Sequence, residues 1–372
     1  MAQDLLLNPL HQQSGATFQS WQDWIVPWRF TGLDAEYQAV RQNCGLIDWS
    51  TMDLIGVRGA DRIPFLHNLL TNDIKALKPG SGCHAGLVSP TAKLLADLIV
   101  LADAEAHWLL VDGSRTETVL KTLDRYHITE EVTLHGQTTQ QAVFALQGPN
   151  SLSVLQRILN VQLRFQRPLD HVMVKSESTP VRLVAHSPTG EPGVVLIVLA
   201  EQAAWLWDLL SQRGRPHGLV CVGWEALNTL RIEAGIPWYG VDMDEESLLP
   251  ETGLEAHAVS DTKGCYVGQE VIARLQTYGS VSRKLMGLVC EGQVVPQAND
   301  PITSARGGSA FGGKDGERLG TITSACFSPT LGKPIAMGYV KRPFYEVGTR
   351  VTVMRGEQAL PATLVKRPFI KQ

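Results

Sequence analysis

Residues 263–270, KGCYVGQE, are the most informative stretch of the chain, and an apolar helical run follows them directly. The stretch places a cation, Lys263, two residues before a thiol, Cys265. A neighbouring cation and a helix N-terminus both favour the thiolate, and Gly264 and Gly268 allow sharp turns beside a ligand. Most single cysteines are instead small buried hydrophobes. The stretch therefore predicts either a reactive thiol or a structural one.

The length and composition indicate a soluble protein of two or three domains. The chain has 372 residues, of which 44% are hydrophobic and 19% charged. A net charge of -4 indicates no nucleic-acid partner, and no apolar run is long enough to span a membrane. Asp4 stands where a secretory signal would carry positive charge. We therefore expect a cytoplasmic location.

Neither the cysteines nor the acidic residues form a recognisable metal motif. The six cysteines are far apart and include no CxxC pair, so we expect no disulfide framework and no zinc or iron–sulfur ligand set. Six acidic residues between positions 242 and 255 could bind a hard cation, but their spacing is more typical of a solvated surface. We predict no metal site.

The hydrophobic pattern predicts an α+β fold with antiparallel sheets, because helices and strands mix without a βαβ rhythm. Three indoles between residues 21 and 28 are expected to fasten the N-terminus to a domain face rather than to bind a ligand. After residue 285 short β-like runs alternate with Gly and Pro, which predicts a small all-β domain. Residues 308–315 fall one residue short of a phosphate-binding loop and are predicted to be a hairpin tip.

Residues 263–270 resemble the signature of the YgfZ family of folate-binding proteins, which is related to the aminomethyltransferase (T-protein) of the glycine cleavage system. The resemblance extends over nearly the whole chain through an ordered set of anchors: GLIDWS (45–50), LTND (70–73), LQGP (146–149), LRIEAG (230–235), GTITS (320–324) and SPTLG (328–332). It implies three domains in a ring around a central folate channel. Residues 1–285 would form two interleaved α+β domains that bind folate, and residues 286–372 a small β-barrel.

Three positions depart from the T-protein pattern. T-proteins carry two adjacent acids, of which the first is thought to face the reactive nitrogens of tetrahydrofolate, and the corresponding residues here are Ala96 and Asp97. His84 replaces a tyrosine, and Val195 replaces an acid that can hold the pterin ring. An alanine can neither orient folate nor stabilise a cationic centre. The departures therefore predict that the chain lacks glycine-cleavage activity, and they leave its affinity for folate open.

The resemblance implies a role for each candidate site residue. Cys265 would be the reactive group, Lys263 would lower its pKa, and Gly264 and Gly268 would shape the loop. Tyr266 would cap the channel or stack on the ligand. The folate-binding residues would include Asp97, His84 and Arg231. From the residues alone, Arg231 could equally form a buried ion pair with Glu233 or another acid, and Asp97 a hydrogen bond at a strand end.

The function that these features imply is a tetrahydrofolate-binding protein that supports the assembly or repair of iron–sulfur proteins. Its partners would be folate and iron–sulfur proteins or their assembly factors. One alternative is a folate-dependent aminomethyl or other one-carbon transferase. Another is a thiol-based docking protein that binds no folate. The sequence leaves open whether the chain catalyses a reaction.

Overall fold

The structure is a computed structural model that describes residues 2–136, 140–305 and 316–370, so the predicted hairpin tip at 308–315 lies outside the described residues. The chain divides into two units. The first consists of Met1–Ser89, Leu95–Leu227 and His257–Val267, and the second of Pro90–Leu94, Asn228–Ala256 and Gly268–Gln372. The predicted boundary between residues 285 and 286 stays a prediction.

The helices and strands are numbered in chain order. Up to residue 136 they are β1 (Gln3–Asp4), α1 (Asn8–Gln13), β2 (Thr17–Trp21), β3 (Trp24–Arg29), α2 (Leu33–Gln42), β4 (Cys44–Asp48), β5 (Met52–Arg58), α3 (Arg62–Leu69), β6 (Gly82–Val88), β7 (Leu94–Ala102), β8 (Ala106–Asp112), α4 (Thr116–Tyr126) and β9 (Thr133–Gly136). From residue 140 to 258 they are β10 (Gln141–Gln147), α5 (Ser151–Leu159), β11 (His171–Ser176), β12 (Thr179–Val184), β13 (Gly193–Leu199), α6 (Ala203–Gly214), β14 (Leu219–Cys221), α7 (Trp224–Glu233), α8 (Leu249–Thr252) and α9 (Glu255–Ala258). The last are α10 (Gln269–Tyr278), β15 (Arg283–Cys290), β16 (Pro301–Ser304), β17 (Arg318–Ser328), β18 (Lys333–Lys341), β19 (Arg350–Arg355) and β20 (Gln358–Val365).

Three sheets are built mainly from the first unit. A six-stranded sheet has the order β11-β12-β13-β10-β4-β14, and a five-stranded sheet the order β6-β7-β8-β5-β9. A three-stranded sheet, β1-β3-β2, contains the N-terminal tryptophans. There the Trp21 ring stacks on Trp28 at 6.2 Å between centroids and lies 5.9 Å from Trp224, so these indoles pack on one another as the predicted N-terminal fastening requires.

The phase of strand β7 decides which of its side chains face the core of the five-stranded sheet. Side chains alternate between the two faces of a strand. Ala96, Leu98 and Val100 are fully or almost fully buried in that core, which also contains apolar residues of α3 and α4. Asp97 is therefore directed to the opposite face, where its residue is only partly buried.

The second unit contains a closed barrel with the order β15-β18-β17-β16-β19-β20, in which every neighbouring pair is antiparallel. Its core includes Leu288, Val340 and Leu364, which are fully buried. The predicted α+β class with antiparallel sheets and a small C-terminal β-barrel is confirmed. The predicted ring and central folate channel stay predictions. Among the described residues, no helix is both long enough and apolar enough to cross a membrane.

Candidate functional site

An acid–histidine pair lies on neighbouring strands of the five-stranded sheet. The Nε2 atom of His84, on β6, contacts the Oδ1 atom of Asp97, on β7. The two side chains are 24% and 21% exposed, so a ligand can reach them without unfolding of the sheet. The side-chain amide of Asn72 donates a 2.8 Å hydrogen bond to the His84 carbonyl and so fixes the backbone behind the imidazole.

His84 and the neighbouring His186 have pKa values that are shifted in opposite directions. Burial alone would lower the pKa of His84, but the charge of Asp97 and its hydrogen bond together raise that pKa above the ordinary 6.5. Burial, assisted by the charge of His84, lowers the pKa of His186 to about 4. The His186 ring stacks on Trp49 at 5.7 Å. At neutral pH the His186 imidazole is therefore neutral, whereas the His84 imidazole beside Asp97 binds a proton more readily than an ordinary histidine.

The structure corrects the argument from Ala96. Because Ala96 is completely buried in the apolar core of the five-stranded sheet, an acid at this position would point away from the His84 face. Asp97 is the carboxylate that meets His84. The substitution of the first acid by alanine therefore removes no charge from the face of β7 that carries Asp97. The inference that Ala96 abolishes aminomethyl transfer loses its structural basis.

Val195 lies in the buried part of β13, in register with Ala145 on one side and Val184 on the other. The adjoining turn is held by its own polar side chains, since the Thr189 hydroxyl donates to the side chain of Gln147 at 3.0 Å. The Ser187 hydroxyl of that turn is buried and has no hydrogen-bond partner among the described residues.

The lysine of the KGCYVGQE stretch caps a helix end. Its Nζ atom donates to the carbonyl oxygens of His67, Leu70 and Asn72, which lie in the last turn of α3 and the loop after it. The last carbonyls of a helix lack partners within the helix and carry partial negative charge, so a buried ammonium group stabilises them. Burial lowers the pKa of Lys263 to about 8, which leaves it charged at pH 7. Its ammonium also lies 4.8 Å from the centroid of the Tyr266 ring.

Cys265 differs from the other cysteines because it is exposed. Among the described residues, no contact joins the Lys263 ammonium to its thiol. The groups that act electrostatically on Lys263 are Asp73, the Cys83 thiol and Lys75. Burial raises the pKa of Cys83 to about 12 despite the opposing charge of Lys263. The thiol that the lysine influences in this structure is therefore Cys83, and activation of Cys265 by Lys263 stays a prediction.

The other predicted residues of the stretch have separate structural roles. Tyr266 is 8% exposed and packs against the lysine. Gly268 adopts a left-handed conformation with φ of 79° directly before α10, a geometry that favours glycine. A Cβ atom added at Gly264 would meet nothing within 4 Å, so the space there does not require a glycine. Ligand contacts by these three residues stay predictions.

Arg231 lies in the buried ion pair that was the alternative to folate binding, but with a different acid. Its guanidinium pairs with Asp242, and neither side chain is exposed. Its Nη2 atom donates to the Ser324 hydroxyl at 2.6 Å, and Thr323 donates to the same carboxylate at 2.6 Å. Glu233, the acid named in the sequence analysis, instead accepts a hydrogen bond from Ser328. A role for Arg231 in folate binding stays a prediction, and its charge is already neutralised inside the second unit.

Three residues of the site escaped prediction for identifiable reasons. His186 was one of ten scattered histidines, and no pattern in the sequence pairs it with His84. Trp49 and Asn72 belong to the GLIDWS and LTND anchors, which marked their positions but not their contacts. In the described part of the chain, no three His, Cys, Asp or Glu side chains are grouped closely enough to bind a metal ion.

Comparison with known proteins identifies relatives along almost the entire chain. Residues 7–262 match the family model of the GCVT N-terminal domain, and residues 283–371 that of the glycine cleavage T-protein C-terminal barrel domain. The chain is 32% identical to an aminomethyltransferase of Geobacillus thermodenitrificans over 371 residues, covering 98% of each protein. It is 31% identical to that of Desulforamulus reducens, covering 100% of this chain and 99% of the relative. The crystal structure of glycine cleavage system aminomethyltransferase T from Bartonella henselae matches with a TM-score of 0.87 and 24% identity, covering 100% and 98% of the two chains, which indicates a common fold.

Proposed function

Because the chain belongs to the glycine cleavage T-protein family, we propose that it is a tetrahydrofolate-dependent aminomethyltransferase. Its similarity to aminomethyltransferases along their full length supports this reaction class. The observation that carries the proposal is the Asp97 carboxylate, which is partly exposed and is held against His84 on the face of β7 opposite to Ala96. This reverses the order of the two functions expected from the sequence, which rested on the KGCYVGQE signature and on the replacement of two acids by Ala96 and Val195.

The residues around Asp97 suit a folate substrate. Tetrahydrofolate supplies the two amine nitrogens that receive the transferred carbon, while the protein supplies orientation and charge. The Asp97 carboxylate can accept a hydrogen bond from an amine N–H and favours positive charge developing there. The buried Ser187 hydroxyl has no hydrogen-bond partner among the described residues, so a polar edge of the pterin that displaced its covering atoms would supply one, which the apolar side chain of Val195 cannot accept.

The experiment is a direct assay of transfer. The purified protein is incubated with an aminomethyl-loaded lipoyl carrier and tetrahydrofolate, and methylenetetrahydrofolate and ammonia are measured together. We expect equal amounts of both products from the wild-type protein. Asp97→Asn should lower the rate at least about a hundredfold, as expected for loss of a group acting on protons in the transition state. Calorimetric titration with tetrahydrofolate shows whether the variant still binds. Absence of product from a wild-type protein that binds folate would refute the proposed reaction.

A second candidate function is a YgfZ-type role, in which folate binding supports iron–sulfur proteins. The observation that favours it is the exposed thiol of Cys265 within the KGCYVGQE stretch. In cells lacking this protein, the wild-type chain would then restore the activity of iron–sulfur enzymes, whereas Cys265→Ser would not. Restoration by Cys265→Ser would count against this role. The third possibility, docking without folate, requires that tetrahydrofolate, its 5-formyl form and its methylene form all produce no heat in the calorimeter.

A further inference from the structure

We propose that His84 and Asp97 act as one proton-holding pair during aminomethyl transfer, with Asp97 touching the amine and His84 storing the proton. The inference rests on the proposed function and assigns the base of that reaction. His84 is thus a positioning residue that acts through the carboxylate. The geometry supports it because the His84 Nε2 atom meets the Asp97 Oδ1 atom directly, while Asn72 fixes the histidine backbone.

The reaction needs a group that takes up and returns protons. The bond between the transferred carbon and the carrier sulfur breaks, as does its bond to the leaving nitrogen, and two bonds to the acceptor nitrogens form. The two acceptor N–H protons leave, so that one completes the carrier thiol and the other completes ammonia. An isolated carboxylate is a weak base at neutral pH. A carboxylate in contact with a neutral imidazole can pass the proton on, and the product pair of imidazolium and carboxylate is a stabilised ion pair.

Two titratable groups face His84 and act on its proton affinity in opposite directions. They are Asp97 on the neighbouring strand and His186 after β12. His186 is neutral above about pH 4, so it does not compete for the proton at neutral pH. The charge of Asp97 and its hydrogen bond raise the pKa of His84 above the ordinary 6.5, so the imidazole in contact with the carboxylate is a better proton acceptor than an isolated histidine.

The residue type at position 84 makes this property specific to the chain. The T-protein family, as its resemblance to this sequence indicates, has a tyrosine there. A phenol ordinarily keeps its proton up to about pH 10 and cannot accept a second one under these conditions. Replacement of the phenol by an imidazole therefore adds proton storage at a position that otherwise provides only a hydrogen bond.

The test compares the pH dependence of kcat, from pH 5.5 to 9, in the wild-type protein, His84→Gln and His84→Tyr. Glutamine reaches Asp97 with an amide of similar length but does not titrate, and tyrosine restores the family residue. Because only neutral His84 can accept the proton, the wild-type kcat should fall about tenfold per pH unit below an inflection above pH 6.5. Both variants should lose that inflection and vary less than about threefold across the range.

A second measurement tests the interaction between His84 and Asp97 without relying on activity. The titration of the His84 imidazole is followed by NMR in the wild-type protein and in Asp97→Asn, which should shift its midpoint to lower pH. An active wild-type protein whose acid inflection persists in His84→Gln would overturn this inference alone. An unmoved His84 midpoint in Asp97→Asn would also overturn it. A wild-type protein that produces no methylenetetrahydrofolate at any pH overturns the proposed function and this inference together.

Discussion

Replacement of Ala96 by aspartate tests which face of β7 meets the substrate. If position 96 faced folate, the substitution would restore a useful acid beside Asp97. In the structure Ala96 is completely buried among apolar side chains, including Leu98 and Val100. We therefore expect Ala96→Asp to destabilise the protein and to leave its affinity for tetrahydrofolate no higher than that of the wild type.

The magnitude follows from the burial of an unpaired charge. A buried charge without a partner costs about 3–5 kcal/mol of folding free energy. A protonated or uncharged polar group in the same place costs about 1–3 kcal/mol. Ala96→Asn is the matched control, because asparagine has nearly the shape of aspartate but no charge. The aspartate variant should therefore lose about 2 kcal/mol more than the asparagine variant at pH 8, and this difference should shrink at pH 5 as the buried carboxyl binds a proton.

Urea denaturation monitored by tryptophan fluorescence can measure this difference. Eight of the nine tryptophans lie in the first unit and only Trp238 lies in the second, so the signal reports mainly on the unit that contains Ala96. Calorimetry with tetrahydrofolate supplies the second readout. A wild-type denaturation midpoint for Ala96→Asp at pH 8, together with tighter folate binding, would refute the assignment of Asp97 as the acid on the substrate side.

Three further predictions concern residues outside that strand. Lys263→Met should lower the free energy of unfolding by at least about 2 kcal/mol, because three carbonyl oxygens lose a charged donor, and a wild-type thermal midpoint would contradict this. Cys265 should react with iodoacetamide before the five buried or half-buried thiols, and Cys265→Ser should keep the thermal midpoint; peptide mass spectrometry that finds another cysteine labelled first would make the thiol structural. Burial lowers the pKa of His107 to about 4, so between pH 6.5 and 4 the unfolded chain binds a proton that the folded chain does not, and stability should fall by up to about 3 kcal/mol as the pH falls to 4. His107→Leu should remove that part of the acid sensitivity, since neither ring nitrogen has a hydrogen-bond partner among the described residues, and an unchanged dependence of the urea midpoint on pH would refute the assignment.

The sequence predicted the elements of this fold better than the orientation of single side chains. Apolar periodicity predicts β7, and the change in composition after residue 285 predicts the barrel. The phase of β7 could not be read, because apolar residues occupy both faces of the strand and surround Ala96 and Asp97 on either side. Only the packing of α3 and α4 onto one face distinguishes the two positions, and that packing depends on residues distant in sequence.

The partners of the two predicted cations were unpredictable for another physical reason. Arg231 binds Asp242, an acid within a loop whose composition resembles a solvated surface, and only the tertiary fold buries it. Lys263 binds backbone carbonyl oxygens almost 200 residues earlier in the chain. Every residue has a backbone carbonyl, whatever its side chain, so no sequence pattern can reveal which carbonyls a lysine will meet.

Asn72 explains why the LTND and KGCYVGQE anchors belong to one site although they lie far apart in the sequence. Its carbonyl oxygen accepts a 3.1 Å hydrogen bond from Lys263, and its side-chain amide donates to the carbonyls of His84 and His257. The lysine therefore supports the same loop that fixes the backbone of the histidine paired with Asp97. Loss of the lysine should act on His84 through this loop, and the thiol of Cys265 need not take part. The signature stretch thus contributes to the acid–histidine pair through its cation and its backbone, while its exposed cysteine is left for a separate role.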